Sequence, residues 1–194
     1  AMLAKMSQSI EDSTERMARI VNGMRIVSRQ GSNDPLKPVR MKVLVEETLS
    51  LCREKMRSRG IKLVVEEITE NAVFEGRLVE MSQVFLNLMN NACDAIEGTQ
   101  NAWIRVSTAE SETHVELRVQ DSGAGVPPEL RQQIFQPFFT TKEVGKGTGL
   151  GLSISLGIVQ GLGGELSIDD QQGPSCFLIR VPRVQPPQDD RKAA

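Results

Sequence analysis

The sequence predicts an α+β fold: a two-layer α/β sandwich with a mixed sheet of about five strands, helices on one face of it, and a long bundle or coiled-coil helix in front. Three observations predict it. Around Glu110-Ser111-Glu112 two strand-like segments, 102–109 and 113–120, form a hairpin pattern; Val115, Leu117 and Val119 alternate with Glu116, Arg118 and Gln120, the period of a strand with one buried face. The segment 80–96 instead repeats at helical spacing, with Val84, Leu88, Ala92, Ala95, Phe85 and Ile96 on one side. Ahead of both, Leu3, Met6, Ile10, Ser13, Met17, Ile20, Met24 and Val27 alternate spacings of three and four, a heptad seam.

Each element follows in order. The seam over 3–27 predicts a helix roughly 40 Å long from the helical rise per residue, which needs a partner helix to cover its apolar stripe. It stops at Gly31, and Pro35 prevents continuation. A second helix is expected over 43–59, with Val45, Leu49, Cys52 and Met56 on one face and Gly60 at its end. Strands are expected at 61–68 and 73–74, then the helix and hairpin already described. Pro127-Pro128 opens a short helix to about 134, and a Gly- and Thr-rich connection leads to a helix over 152–160, stopped near Gly161, Gly163 and Gly164. Strands at 165–168 and 176–181 close the sheet. The organisation is therefore a helix over 1–31, a globular unit over 36–182, and a Pro- and charge-rich tail over 183–194 expected to be disordered.

Bulk composition narrows the class. With 194 residues and 39% hydrophobic content the chain is long enough to bury a core. Its 23 basic and 25 acidic residues leave a net charge of -2, so nucleic acid and anionic membranes are not expected partners. Cys52, Cys93 and Cys176 are odd in number and widely separated, which fits free thiols better than a disulfide framework or a zinc site. No apolar run reaches the roughly 18 residues of a membrane span, and no signal peptide opens the chain. The expected location is the cytoplasm, either free or as the cytoplasmic part of a membrane-anchored sensor.

The chemistry concentrates between 80 and 152. On the 80–96 helix, Asn87, Asn91 and Asp94 fall within roughly 60° of arc, opposite the apolar side. Next come Asp121-Ser122-Gly123-Ala124-Gly125 at a strand end, then Phe135-Gln136-Pro137-Phe138-Phe139-Thr140-Thr141-Lys142, then Gly147-Thr148-Gly149-Leu150-Gly151-Leu152. Each is weak alone: Asn-x-x-x-Asn is ordinarily a solvated face, and Asp-Ser-Gly an ordinary turn. In this order and spacing they resemble the N, first glycine, F and second glycine boxes of the ATP-binding region of sensor histidine kinases. The likeness covers roughly 36–182, and the Phe138-Phe139-Thr140-Thr141-Lys142 wording is similar to the nitrogen-regulation type. The glycine box is neither a Walker loop nor a dinucleotide fingerprint, since no Gly-Lys-Ser/Thr follows it.

What the resemblance implies can be set against the residues. Asp121 would accept a hydrogen bond from the adenine 6-amino group while Gly123 and Gly125 let the base approach the backbone, and guanine would turn an acceptor toward the same carboxylate. Asn87 and Asn91 offer neutral oxygens to Mg²⁺ and phosphate, with Asn91 as the implied metal ligand; Mg²⁺ takes few protein ligands and keeps several waters. Asp94 falls where relatives place a residue that touches the nucleotide. Gly147, Thr148, Gly149, Leu150, Gly151 and Leu152 put flexible backbone ahead of a helix start that can face phosphate. The segment 126–146, beginning at Val126, resembles a mobile ATP lid, with Phe135, Phe138 and Phe139 as packing anchors and Lys142 or Lys146 as γ-phosphate contacts.

The resemblance also separates reactions. Relatives that hydrolyse ATP carry a glutamate four residues before the metal-binding Asn, as general base. This chain has Asn87 there, and an amide cannot take a proton, so phosphoryl transfer is expected over hydrolysis. The only histidine, His114, lies in a strand-like stretch and is read as structural. The helix over 3–27 looks like the second helix of a dimerisation hairpin whose first helix, bearing the phosphoacceptor histidine, is absent from this chain, which is expected to bind Mg·ATP without phosphorylating itself. The implied partners are ATP, a response-regulator receiver domain and a second copy through the N-terminal helix. The alternatives are a nucleotide-gated interaction module, an ATPase and a serine kinase of the same superfamily.

Overall fold

The computed structural model describes residues 35–66, 68–143, 147–170, 172–173 and 175–186. The expected helix over 3–27, Lys146 and the tail from 187 onward lie outside the described residues. Among the described residues, seven strands and three α-helices follow in the order β1 (Lys37–Arg40), α1 (Met41–Ser58), β2 (Lys62–Val65), β3 (Val73–Gly76), α2 (Leu78–Ala95), β4 (Trp103–Glu110), β5 (His114–Asp121), α3 (Gly151–Gly161), β6 (Glu165–Ile168) and β7 (Cys176–Pro182). Five strands form one sheet in the order β2-β4-β5-β7-β6. Only β2 and β4 run parallel, so the sheet is mixed as expected.

Period decides what each element buries. α1 turns Met41, Leu44, Val45, Leu49, Cys52 and Met56 inward, and α2 turns in Met81, Val84, Phe85, Leu88, Met89, Ala92 and Cys93. These meet Ile104, Val106, Val115, Leu117, Val119 and Ile179 from the sheet, with Phe74 and Phe85 fully buried between the layers. The opposite sheet face is polar: Arg118 pairs with Asp169 at 2.8 Å and Glu116 at 2.6 Å, and Arg180 donates to Glu116 at 2.9 Å. One face apolar and one ionic is why helices cover only one side. All three cysteines are free and buried.

Several boundaries differ from the sequence reading, for local reasons. β1 is not among the elements expected from the sequence; it contains Pro38 and lies in a separate two-stranded antiparallel sheet with β3, an edge position that tolerates Pro. The short helix expected from Pro127 is two single 3₁₀ turns, Pro128–Leu130 and Gln133–Phe135. α2 begins two residues earlier than expected and ends at Ala95, which is exposed rather than part of the apolar side. Backbone pairing also runs past 182: Arg183 N–H donates to the Thr113 carbonyl and Val184 N–H to Val73, each at 2.9 Å.

Candidate functional site

Helix α2 supplies the floor. Its face opposite the core presents Asn87 and Asn91, both half-buried, and then exposed Asp94. Asn87 Nδ2 donates to Ser155 Oγ of α3 at 3.0 Å. A Cβ on Gly151 would lie 2.3 Å from Asn87 Oδ1, so the first residue of α3 rests directly on this amide. Asn87 thus joins the two helices. Asn91 Oδ1 accepts from Lys142 Nζ at 3.4 Å, and Asp94 Oδ2 accepts from the same ammonium at 2.6 Å. On its other side Asp94 Oδ1 faces Arg59 at 3.7 Å, and Arg59 also reaches Glu97 at 3.8 Å.

The end of β5 forms one wall. Asp121, the last residue of the strand, is 6% exposed, and its Oδ1 accepts from the Gly123 N–H at 2.8 Å. Burial pushes its carboxyl up from the ordinary range, and the Gly123 bond opposes that shift. The strand end is clamped from both sides: Ser175 Oγ donates to the Asp121 carbonyl at 2.5 Å, and Trp103 N–H donates to Ser122 Oγ at 3.0 Å. A Cβ on Gly123 would stand 2.7 Å from Asp121 Oδ1 and 3.4 Å from the Ala95 carbonyl. The absent side chain therefore lets this turn close on the end of α2. Gly125 has φ +79°, a left-handed backbone that favours glycine.

The glycine-rich stretch and the segment before it make the other wall. Gly149 has φ +66°, and a Cβ there would fall 2.3 Å from the Phe138 carbonyl carbon. Phe138 is itself left-handed at φ +67°, and its ring is 70% exposed. The expected packing of three phenylalanines is therefore divided: Phe135 packs against the core, Phe139 is half-buried, and Phe138 approaches through backbone while its ring points to solvent. Gly147 sits against Thr140 and Lys142, Lys142 N–H donates to Thr140 Oγ1 at 3.2 Å, and Leu150 N–H donates to Thr148 Oγ1 at 3.4 Å. Leu150 is buried and half-buried Leu152 packs on the core, fixing where α3 starts. That start has no side-chain cap, so the positive end of an 11-residue helix opens toward the α2 floor.

Four stretches distant in sequence thus meet around one polar helix face: Asn87, Asn91, Asp94, Lys142, Gly147, Gly149 and Gly151 through direct contacts, and Asp121 with Gly123 through the end of α2. Val126 joins from the side, where its carbonyl accepts from Arg131 Nε at 3.4 Å while Arg131 Nη1 pairs with Asp170 at 2.6 Å. The sequence reading had not named Ser155, Ser175, Arg59 or Arg131. Only Arg59 carried a local signal, as a cation at a helix end. His114 stands on β5 with Nδ1 2.8 Å from Thr113 Oγ1, outside these contacts. Among the described residues no three His, Cys, Asp or Glu side chains gather as a metal cage.

The model of the family described as histidine kinase-, DNA gyrase B-, and HSP90-like ATPase matches residues 76–185. Among curated proteins, the two-component sensor PprA of Pseudomonas aeruginosa is 36% identical over 88% of this chain and 19% of its own length. The sensory histidine kinase/phosphatase NtrB of Rhizobium meliloti is 30% identical over 91% of this chain and 49% of its own. The chain therefore spans between about a fifth and about half of these relatives. Among solved structures, the catalytic domain of histidine kinase ThkA superposes with a TM-score of 0.69 at 32% identity, over 77% of this chain and 99% of that one. Histidine kinase ThkA in complex with response regulator protein TrrA gives 0.71 at 27% identity, over 88% of this chain and 49% of that one.

Proposed function

Because the chain belongs to the histidine kinase-, DNA gyrase B-, and HSP90-like ATPase family, with two-component sensor kinases as its homologues, we propose that it binds Mg·ATP and delivers the γ-phosphate to a histidine presented by another segment or chain. The observation that carries the second half is the state of Asn87. Where hydrolysing relatives carry a general-base glutamate, this amide is bonded to Ser155 and packed on Gly151. It can neither accept a proton nor swing toward a water, so the site orients phosphate for transfer.

Each wall then has a task. Asp121 and the turn through Gly123, Gly125 and Val126 receive adenine, and the uncapped start of α3 with Gly147, Thr148, Gly149, Leu150, Gly151 and Leu152 receives phosphate. Lys142 is the cation nearest the Asn91 amide among the lid residues described. The donor set fits Mg²⁺: one neutral amide oxygen at Asn91 without an acidic cage, the remaining ligands being phosphate oxygens and water. When bound, the ion supplies neutralisation of charge on the phosphates. A receiver-domain aspartate is the proposed final acceptor, supported by the likeness to a kinase solved with its response regulator. A second copy through the heptad-patterned segment 3–27 is the proposed assembly. Among the described residues no helix is long and apolar enough to cross a membrane, which is compatible with the proposed cytoplasmic location.

The test follows the γ-phosphate. The chain, γ-labelled ATP and Mg²⁺ are mixed with a histidine-bearing hairpin from a homologous kinase, and label is counted on protein and in water. Transfer to the hairpin is expected, with little release. Rapid release would make the protein an ATPase, and bound ATP with neither product would make it a nucleotide-gated interaction module.

A second prediction concerns Asp121. Burial raises its folded pKa above the unfolded value, so the stability it supplies is complete below the unfolded pKa and is lost as pH rises through the folded one. At neutral pH the buried charge therefore burdens the nucleotide-free fold. Asp121→Asn keeps an oxygen for the Gly123 N–H and removes that charge. Its melting temperature should exceed the parent's by about 2–4 °C per kcal/mol relieved, a gain that vanishes below about pH 4. ATP should bind at least about ten-fold more weakly. A variant less stable at pH 7 than the parent would contradict the burial argument.

A further inference from the structure

The contacts around Asp94 carry an inference that rests on the ATP reading and deepens it. Asp94 stands one turn beyond Asn91 on the polar face of α2, between two cations from distant parts of the chain. Lys142 is 2.6 Å from Oδ2, and Arg59, just past the C-terminus of α1, is 3.7 Å from Oδ1. The same Lys142 ammonium lies 3.4 Å from Asn91 Oδ1, the oxygen proposed for the metal. All three charged side chains are about one-third exposed, so their pairing is modest and reversible rather than a buried lock.

Two properties follow from charge alone. An ammonium and a divalent cation repel at hydrogen-bond range, so metal-bound nucleotide on Asn91 displaces Lys142 from that oxygen. The lysine then has two anions within the reach of its flexible stem: the Asp94 carboxylate, where it already sits, and a terminal phosphate. A γ-phosphate carries more negative charge than a carboxylate that already faces Arg59 at 3.7 Å. A diphosphate offers nothing at that position, and the lysine stays on Asp94.

We propose that Asp94 and Arg59 are positioning residues that set the preference for triphosphate over diphosphate: Asp94 holds Lys142 against the γ-phosphate's pull, and Arg59 weakens that hold. Asp94 acts through Lys142 and needs no contact with the nucleotide. Arg59 acts through Asp94, at one further remove. The arrangement lets ADP leave with Lys142 already parked, and lets ATP recruit it.

The experiment is calorimetric titration of ATP and of ADP, each with Mg²⁺, into the parent chain and into Asp94→Asn, Arg59→Gln and the double variant. Asp94→Asn should raise the ADP-to-ATP ratio of dissociation constants about two- to five-fold, the range of a partly exposed ion pair. Arg59→Gln should lower the ratio, and its effect should disappear when Asp94 is already Asn, because nothing remains for it to weaken. Lys142→Ala should abolish the response to Asp94→Asn. A loss of affinity for both nucleotides by the same factor in Asp94→Asn would overturn the proposal, as would an Arg59→Gln effect that persists in the double variant. Failure of the ATP reading looks different: the parent itself binds neither nucleotide, and the inference falls with it.

Discussion

Asn91→Ala abolishes measurable Mg²⁺-dependent ATP binding and leaves the fold in place. The two halves of this expected result rest on different faces of α2. The buried face, through Leu88, Met89, Ala92 and Cys93, is untouched by the substitution, and alanine is a better helix former than asparagine by a few tenths of a kcal/mol. The unfolding midpoint therefore stays or rises slightly. Affinity is proposed to depend on the other face, where Asn91 Oδ1 is a neutral amide oxygen 3.4 Å from Lys142 Nζ. Removing the proposed ligand should weaken Mg·ATP at least about 100-fold, beyond what loss of supporting residues around a metal ordinarily does. Titration with and without Mg²⁺, beside a thermal melt, separates the halves. Affinity retained in the folded variant would remove Asn91 from the site.

The second large effect is expected from Gly149→Ala, a change of one methyl group. Gly149 is left-handed, where an L-side chain costs about 1–2 kcal/mol, and the new Cβ would meet the carbonyl carbon, oxygen and Cα of Phe138 at 2.3, 2.6 and 2.7 Å. These are backbone atoms and cannot rotate aside. The Phe138 segment must therefore retreat from the start of α3, taking with it the approach to Thr140 and Lys142. ATP affinity should fall about ten- to 100-fold, as geometry on both sides of the proposed phosphate site is lost together. Global stability should fall by about 1–2 kcal/mol, the left-handed cost, and little more, since the Phe138 ring contributes almost nothing to the core. Gly157→Ala is the control: it lies inside α3 with nothing within 4 Å of the added Cβ, so it should gain up to about 1 kcal/mol of stability. If Gly149→Ala binds as the parent does, the close approach of these two segments is irrelevant to the nucleotide.

How much of this was legible beforehand varied by residue. Val115, Leu117 and Val119 announced their strand because a period of two survives any tertiary context that buries one face. The arc holding Asn87, Asn91 and Asp94 was legible for the same reason at a period of 3.6. Ala95 was misassigned by that arithmetic: its angle places it near the apolar side, but α2 ends there and the residue is exposed. Gly123 is expected from its motif to let a base approach the backbone near Asp121; the tertiary structure adds that its missing side chain also leaves room for the Ala95 carbonyl and the carboxylate. Phe138 is expected to be an anchor from the lid-like segment it belongs to; its backbone is left-handed where it meets Gly149, and the residue is exposed instead.

By itself the sequence determined the periodic elements, the α+β class and the identity of the groups available for chemistry, since these depend on side-chain type and on spacing within one helix or strand. Only the tertiary structure decided what those groups are bonded to. Asn87 sits on Ser155 sixty-eight positions away, and Asp94 lies between Arg59 and Lys142. Ser175 holds the end of β5. Local spacing carries no information on such pairs, because which distant side chains meet is set by how the sheet and helices pack their apolar faces, and the polar partners follow from that packing.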